Sequence, residues 1–227
     1  MFSDEEIKKA RKDLISINEE LFRKSSEAYP LPKAKSQEKP ILYLFRHGQS
    51  VDNENFVFCG WRDSPLTKTG REQASVLAIK LIGKRVDLGI HSHLVRSRET
   101  LDIVFRELLP RPTLEEDDRI IERNYGFLQG KSKVELFLEN PKLYEEYHRD
   151  YEINLPLGEN FKMVEGRVFP FCSELETRMK KEKINVALSA HSNSMRAIRR
   201  YFEKLTVEQM CQLEDPLAQD YASYAIS

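Results

Sequence analysis

Cysteine is scarce in this chain, long apolar runs are missing, and neither sign of charge prevails. The three cysteines, Cys59, Cys172 and Cys211, are odd in number and far apart. That argues against a disulfide framework and a cysteine-rich metal site, and it fits a reducing, cytoplasmic setting. No apolar stretch approaches membrane-spanning length, so no membrane span is expected. The opening Met-Phe-Ser-Asp-Glu-Glu lacks the basic start and apolar segment of a signal peptide. Lysine and arginine number 36 against 37 acidic residues, a net charge of −1. That balance gives no electrostatic case for nucleic acid or an anionic membrane surface. Internal repeats and low-complexity segments are not detectable. What remains is 227 residues, 40% hydrophobic and 32% charged, enough for one sizeable globular α/β domain.

The most informative stretch is Ile41-Leu42-Tyr43-Leu44-Phe45-Arg46-His47-Gly48. Its apolar run is too short for a helix and predicts a buried strand that stops abruptly at Arg-His-Gly. In an open α/β sheet, ligands bind beyond the carboxyl ends of strands. His47 there could attack phosphorus, because neutral imidazole is nucleophilic near neutral pH. Arg46 would clamp phosphoryl oxygens with its planar fork of donors, and Gly48 would let the backbone turn closely.

Before that strand, Ser3 and Glu6 have the spacing of a capping box, and Ile7, Ala10, Leu14, Ile17 and Leu21 form one apolar stripe. A helix over 4–24 follows, docked on the main domain; a dimerisation arm, and with it a homodimer, is the alternative. Residues 25–40 read as a linker, and residues 53–65 as a polar loop. Further strands are expected at 86–90, 113–116, 184–190 and 221–226, with helices between them. This alternation predicts a three-layer α/β sandwich with a mainly parallel central sheet, plus an N-terminal helical extension over 1–38 and a catalytic domain over 39–227. His47, Arg96, Glu122 and His191 each follow a candidate strand. In a parallel sheet those exits share one edge, so imidazoles, guanidiniums and a carboxylate could converge. That set suits phosphoryl transfer: the cations compensate charge on the transferring group and the carboxylate moves a proton. His91 and His93 lack a carboxylate or cysteine to complete a metal site. Trp61 is as well explained as a loop anchor as by a substrate contact. Ser192 could cap the last long helix, whose amides would then face a phosphate.

From Leu42 to Glu203 these residues resemble the histidine phosphatase superfamily, and within it the cofactor-dependent phosphoglycerate mutases. The blocks are Arg46-His47-Gly48-Gln49-Ser50 with Asn53, then Phe58-Cys59-Gly60-Trp61, Ser92-x-Leu94-x-Arg96, Glu122-Arg123-Asn124-Tyr125-Gly126 with Lys133, and Ala190-His191-Ser192-Asn193-Ser194-Met195-Arg196. The resemblance implies a phosphohistidine at His47, with Arg46, Arg96 and His191 around the phosphoryl group and Glu122 as general acid and base. It implies that Asn53, Cys59, Gly60, Tyr125, Lys133, Arg149, Ser192 and Asn193 line the substrate site. It also implies a small phosphorylated substrate, priming by 2,3-bisphosphoglycerate and no metal. The expected reaction is interconversion of 3-phosphoglycerate and 2-phosphoglycerate, with residues 132–160 as a cover. A phosphomonoesterase is the alternative, and a non-catalytic phospholigand-binding scaffold is disfavoured by the complete set. The chain departs from mutases at Cys59, where they carry Thr, and at Ser192, where they carry Gly. It departs again at His148-Arg149, aligned with two adjacent arginines, and in a tail without their Pro-Thr-Gly.

Overall fold

A computed structural model describes residues 2–35 and 39–227. Residues 36–38 of the expected linker lie outside the described residues.

The sheet is built on alternation. In β1 (Ile41–Arg46), Leu42 and Leu44 point to one face while Ile41, Tyr43 and Phe45 point to the other. A strand buried on both sides must carry apolar residues at every position, which is why it reads as an unbroken run. Around β1 lie β2 (Leu88–His91), β3 (Thr113–Glu116), β4 (Val186–Ala190) and β5 (Ala222–Ala225), in the order β3-β2-β4-β1-β5. Only β5 runs antiparallel, on the edge beside β1. One face is covered by α7 (Phe161–Glu182) and α8 (Ser192–Glu203), through Val164, Val168, Phe171, Met195 and Ile198. The other is covered by α3 (Lys68–Leu81) and α4 (Val95–Val104), through Ala74, Leu77, Leu101 and Val104. The three-layer, mainly parallel architecture expected from the sequence is therefore the one observed.

Smaller helical elements complete the fold: α2 (Val51–Glu54), α5 (Lys133–Glu139), α6 (Pro141–Arg149) and α9 (Val207–Cys211). The stretch expected to be a polar loop thus begins with a helical turn, capped reciprocally by Ser50 and Asn53. The first helix, α1, runs from Asp4 to Ala28, with the Ser3–Glu6 capping box formed. Its buried face is Ala10, Leu14 and Ser25, and Ile17 of the expected stripe is 38% exposed. After α1 the chain follows β5: the amide of Ser223 donates to the Pro32 carbonyl, and Ser223 Oγ accepts from the Ala34 amide at 2.8 Å. No helix among the described residues is long and apolar enough to cross a membrane.

Candidate active site

Strand register brings the chemistry together. Arg46 of β1 pairs with Ala190 of β4, so His47 and His191 leave adjacent parallel strands side by side, their ring centroids 5.0 Å apart. His91 of β2 pairs with Ser189, which puts Ser92 next to His191, and Ser92 Oγ lies 2.8 Å from His191 Nε2. Arg96 follows in the first turn of α4.

The backbone fixes the tautomer of His47. Its Nδ1 lies 2.6 Å from the Gly48 carbonyl, and a carbonyl only accepts, so Nδ1 carries the proton. Nε2 therefore keeps its lone pair, and Arg96 Nε donates to it at 3.2 Å. Gly48 permits this geometry because any Cβ there would collide with the Gly70 carbonyl of α3. Burial holds the His47 imidazole well below its usual pKa, and the Arg96 and Arg46 guanidiniums push the same way. The ring stays neutral and nucleophilic. Arg96 is itself held by the Gly60 and Arg62 carbonyls, at 2.8 and 2.9 Å. Gly60 has a φ of +56°, a conformation that favours glycine.

Glu122 lies six residues beyond β3, past a short 3₁₀ turn, rather than directly at a strand end. Its carboxylate sits on the N-terminus of α8. One oxygen accepts from the Arg123 amide at 2.9 Å and from the Asn193 amide and side chain at 3.0 Å each; the other accepts from the Ser192 amide at 3.1 Å. Burial pushes the carboxyl pKa up, but these donors together with Arg96 and Arg46 outweigh it, and the net shift is downward. Ser192 is therefore not the helix cap: His191 holds that position, and the Ser194 hydroxyl accepts from the His191 amide at 3.0 Å. The α8 amides that could have faced a phosphate are spent on Glu122.

A cavity of about 370 Å³ opens beside this group, lined by Arg46, Asn53, Cys59, Gly60, Glu122, Tyr125, Lys133, Ser192 and Asn193 among the expected residues, while His47, Arg96 and His191 are buried and do not line it. Asn53 is also bound to the N-terminus of α2, its Oδ1 accepting from the Ser50 amide at 3.1 Å. The Tyr125 hydroxyl accepts from the Asn193 side chain at 3.2 Å. Burial raises the Cys59 thiol to about 11, so it stays protonated. Lys133 Nζ lies 5.5 Å from the Phe58 ring centroid, with no ion-pair partner among the described residues. Trp61 anchors its loop: its indole N–H donates to the Glu122 carbonyl at 2.7 Å.

Arg149 is not brought to this cavity. It lines a separate cleft, bonded to the Cys211 carbonyl at 2.8 Å and to Glu214 at 2.6 Å. On α6 it is the neighbouring His148 that faces the cavity, stacked on Tyr144 with centroids 4.9 Å apart. The cavity gains instead Arg196 of α8, fully buried and paired with Glu214 at 2.9 Å. Sequence reading passed over Arg196 and Glu214, although Arg196 lies within the last motif block. It also gave no role to Ser92, whose place two residues before Leu94 in the second block was the available signal.

The family model for the histidine phosphatase superfamily (branch 1) matches residues 42–224. The chain belongs to this superfamily. Among its relatives, the 2,3-bisphosphoglycerate-dependent phosphoglycerate mutase of Parvibaculum lavamentivorans is 38% identical over 182 residues, covering 76% of this chain and 84% of the relative. The enzyme of the same name from Cytophaga hutchinsonii is 34% identical over 176 residues, covering 77% and 83%. Bacillus stearothermophilus YhfR superposes with a TM-score of 0.72 at 24% identity, covering 81% of this chain and 90% of that one. A mycobacterial glucosyl-3-phosphoglycerate phosphatase superposes at 0.71 and 24% identity, covering 81% and 92%. At that identity the superpositions establish the fold. Residues 2–35, with α1, lie outside the match.

The buried imidazoles give the chain a characteristic acid response. His47, His148 and His191 are all held well below the usual value near 6.5, first by burial and then by surrounding arginines and, for His148, Lys133. Above about 6.5 both folded and unfolded states leave them neutral, so stability is fully present there. Below it the unfolded chain takes up protons that the folded one refuses, and stability falls towards the folded pKa values. Each site contributes about 1.4 kcal/mol per pH unit at full slope, roughly 4 for the set. Urea unfolding at pH 7.5, 6.0 and 5.0 should show that decline, and a flat stability across the range would refute it.

Proposed function

We propose that the chain is a phosphoglycerate mutase that transfers phosphoryl groups through a phosphohistidine at His47, interconverting 3-phosphoglycerate and 2-phosphoglycerate. The catalytic unit is residues 39–227, with 1–38 as an extension. The observation that carries the reading is the fixed tautomer of His47: its Nε2 lone pair lies against Arg96, and Arg46 acts on both His47 and Glu122. The relatives named above support the choice of substrate.

One buried donor is compatible with an added phosphoryl group. Arg46 Nε has no partner among the described residues, and an unmet buried donor is costly unless something accepts from it. 2,3-Bisphosphoglycerate would supply the phosphoryl group that primes His47. Within the site, Nε2 forms the bond to phosphorus as the bond from phosphorus to the ester oxygen breaks. Arg46, Arg96 and His191 compensate the oxygens as charge spreads over them. Glu122 is ionised at rest, so its first act is as a base. It takes the proton of the substrate hydroxyl that attacks phosphohistidine, and returns a proton to the other ester oxygen when His47 is phosphorylated again. Lys133, Arg196, Tyr125 and Asn193 surround the remaining space, where the carboxylate and second oxygen of a three-carbon ester would lie. No metal ligand is needed for these steps.

A phosphomonoesterase is the second reading, and Glu214 is the observation that favours it. It neutralises Arg196 and Arg149 together, which leaves Lys133 as a cavity cation without an ion pair among the described residues. The deciding assay is 3-phosphoglycerate with a trace of 2,3-bisphosphoglycerate, following 2-phosphoglycerate and inorganic phosphate together. Conversion should lead, with measurable phosphate leakage; phosphate release far ahead of 2-phosphoglycerate would make the chain a phosphatase.

Lys133→Ala should lose about 10- to 100-fold in mutase activity, the worth of a charge-assisted bond, and much less in hydrolysis of a small aryl phosphate. Arg149→Ala, which lies outside the cavity, should change both activities in the same proportion. Equal losses for Lys133→Ala on the two reactions would remove Lys133 from substrate binding.

A further inference from the structure

We propose that α1 is the roof of the active-site cavity, and that Asn18 and Phe22 set the size of the phosphoester that enters. The proposal rests on the reading of that cavity as the substrate site. Asn18 and Phe22 line the same cavity as Arg46, Glu122 and Lys133. They are one turn apart, on a face that continues the buried positions Ala10 and Leu14 and ends at Ser25.

The helix is held at both ends and unsupported between them. At one end, Ala10 and Leu14 pack in a cluster with Phe58, Val134, Tyr144 and Tyr147. Arg11 donates to the Glu54 carbonyl at 2.7 Å and lies over the ring of Phe56, itself a cavity residue. At the other end, Ser25 Oγ accepts from the Glu214 amide at 2.7 Å, and the Tyr29 carbonyl accepts from Arg199 at 3.0 Å. Between these anchors none of residues 15–24 is buried. Leu14 and Ser25 are eleven positions apart, so the unsupported span is about 16 Å at helical rise. A helix docked only for stability would bury its middle turns. This one bridges an opening and offers one amide and one aromatic ring to the space beneath.

Helical backbone hydrogen bonds are internal, so the span crosses water without unmet polar groups. Its stiffness makes it a wall of fixed height. A three-carbon ester bound at Arg46 and Lys133 lies below it. An ester whose organic part carries two rings extends towards Phe22, which lines the same space. α1 lies outside the residues matched by the family model, so this limit is not part of the matched scaffold.

The test uses the full chain and two non-hydrolysable probes, phenylphosphonate and biphenyl-4-phosphonate, with binding measured by calorimetry. Wild type should bind the biphenyl probe much more weakly. Phe22→Ala and Asn18→Ala should each narrow the ratio of the two dissociation constants, Phe22→Ala by about tenfold, while phenylphosphonate changes little. Phe22→Trp should widen the ratio. Phe22 is 40% exposed, so truncating it spares the core. An unchanged ratio in all three variants, or equal weakening of both probes, would overturn the roof and leave α1 as a structural prop. Binding of neither probe by any variant would overturn the assignment of the cavity, and the roof with it. Loss of the phosphoryl-transfer reading alone would show separately, as absence of acid-labile phosphate on His47.

Discussion

His47→Ala should fold and lose turnover by at least about 10⁴-fold, the scale on which removing a covalent nucleophile acts. Acid-labile phosphate trapped on the protein during turnover should vanish with it. The surrounding groups cannot substitute. His191 has its Nε2 engaged by Ser92, and Arg96 would merely lose its acceptor. The variant should also flatten the acid decline of stability by about one proton's worth, because one imidazole that refuses protonation has been removed. Turnover near the wild-type rate would end the assignment. Retained turnover with labelled phosphate on another residue would transfer it.

Glu122→Gln should cost about 10²–10⁴-fold in turnover, as expected when a general acid–base group can no longer carry a proton. The structure adds a second consequence. Both carboxylate oxygens of Glu122 accept from N–H groups, and one faces the Ser192 amide alone. An isosteric amide must place its NH₂ on one side. The less costly placement sets it against the Ser192 N–H, donor against donor. The variant should therefore lose about 1–3 kcal/mol of stability, from one unmet buried amide and the lost anion at the start of α8. Urea unfolding checks this independently of kinetics. Unchanged stability would mean that Glu122 is not held as described; a loss of turnover below about threefold would send the proton transfer to another group.

The parts legible in the sequence are those where one residue pattern admits one structure. The run Ile41–Phe45 could only be a strand buried on both faces, and Arg46 to Gly48 had to leave its carboxyl end. Parallel alternation then put His47, Arg96 and His191 on one edge. Pairing of Arg46 with Ala190 is what turns that shared edge into contact, and register is not written locally. On α6, His148 and Arg149 are adjacent, and a turn of 100° per residue sends them to different surroundings. Motif alignment favoured the arginine; the fold gave the cavity to the histidine, since Glu214 captures Arg149 from the other side. On α1 the expected stripe packs at Ile7, Ala10 and Leu14 and is half-covered at Leu21, with only Ile17 exposed, while Asn18 and Phe22, which line the cavity, lie over open space where no apolar periodicity is required. The amides of Ser192 and Asn193 resembled a vacant anion seat, because sequence cannot show that a carboxylate about seventy positions earlier already occupies it.

The anchor between Ser25 and Glu214 joins residues 189 positions apart. Synthesis runs from the amino terminus, so α1 is made well before its far anchor. The capping box and helical turns of α1 are local and can form early, but its second anchor is missing until residue 214 has emerged. Leu14 stays partly uncovered until α5 and α6 exist. The roof proposed for the cavity is thus pinned by a contact that forms only after most of the residues lining that cavity have been made.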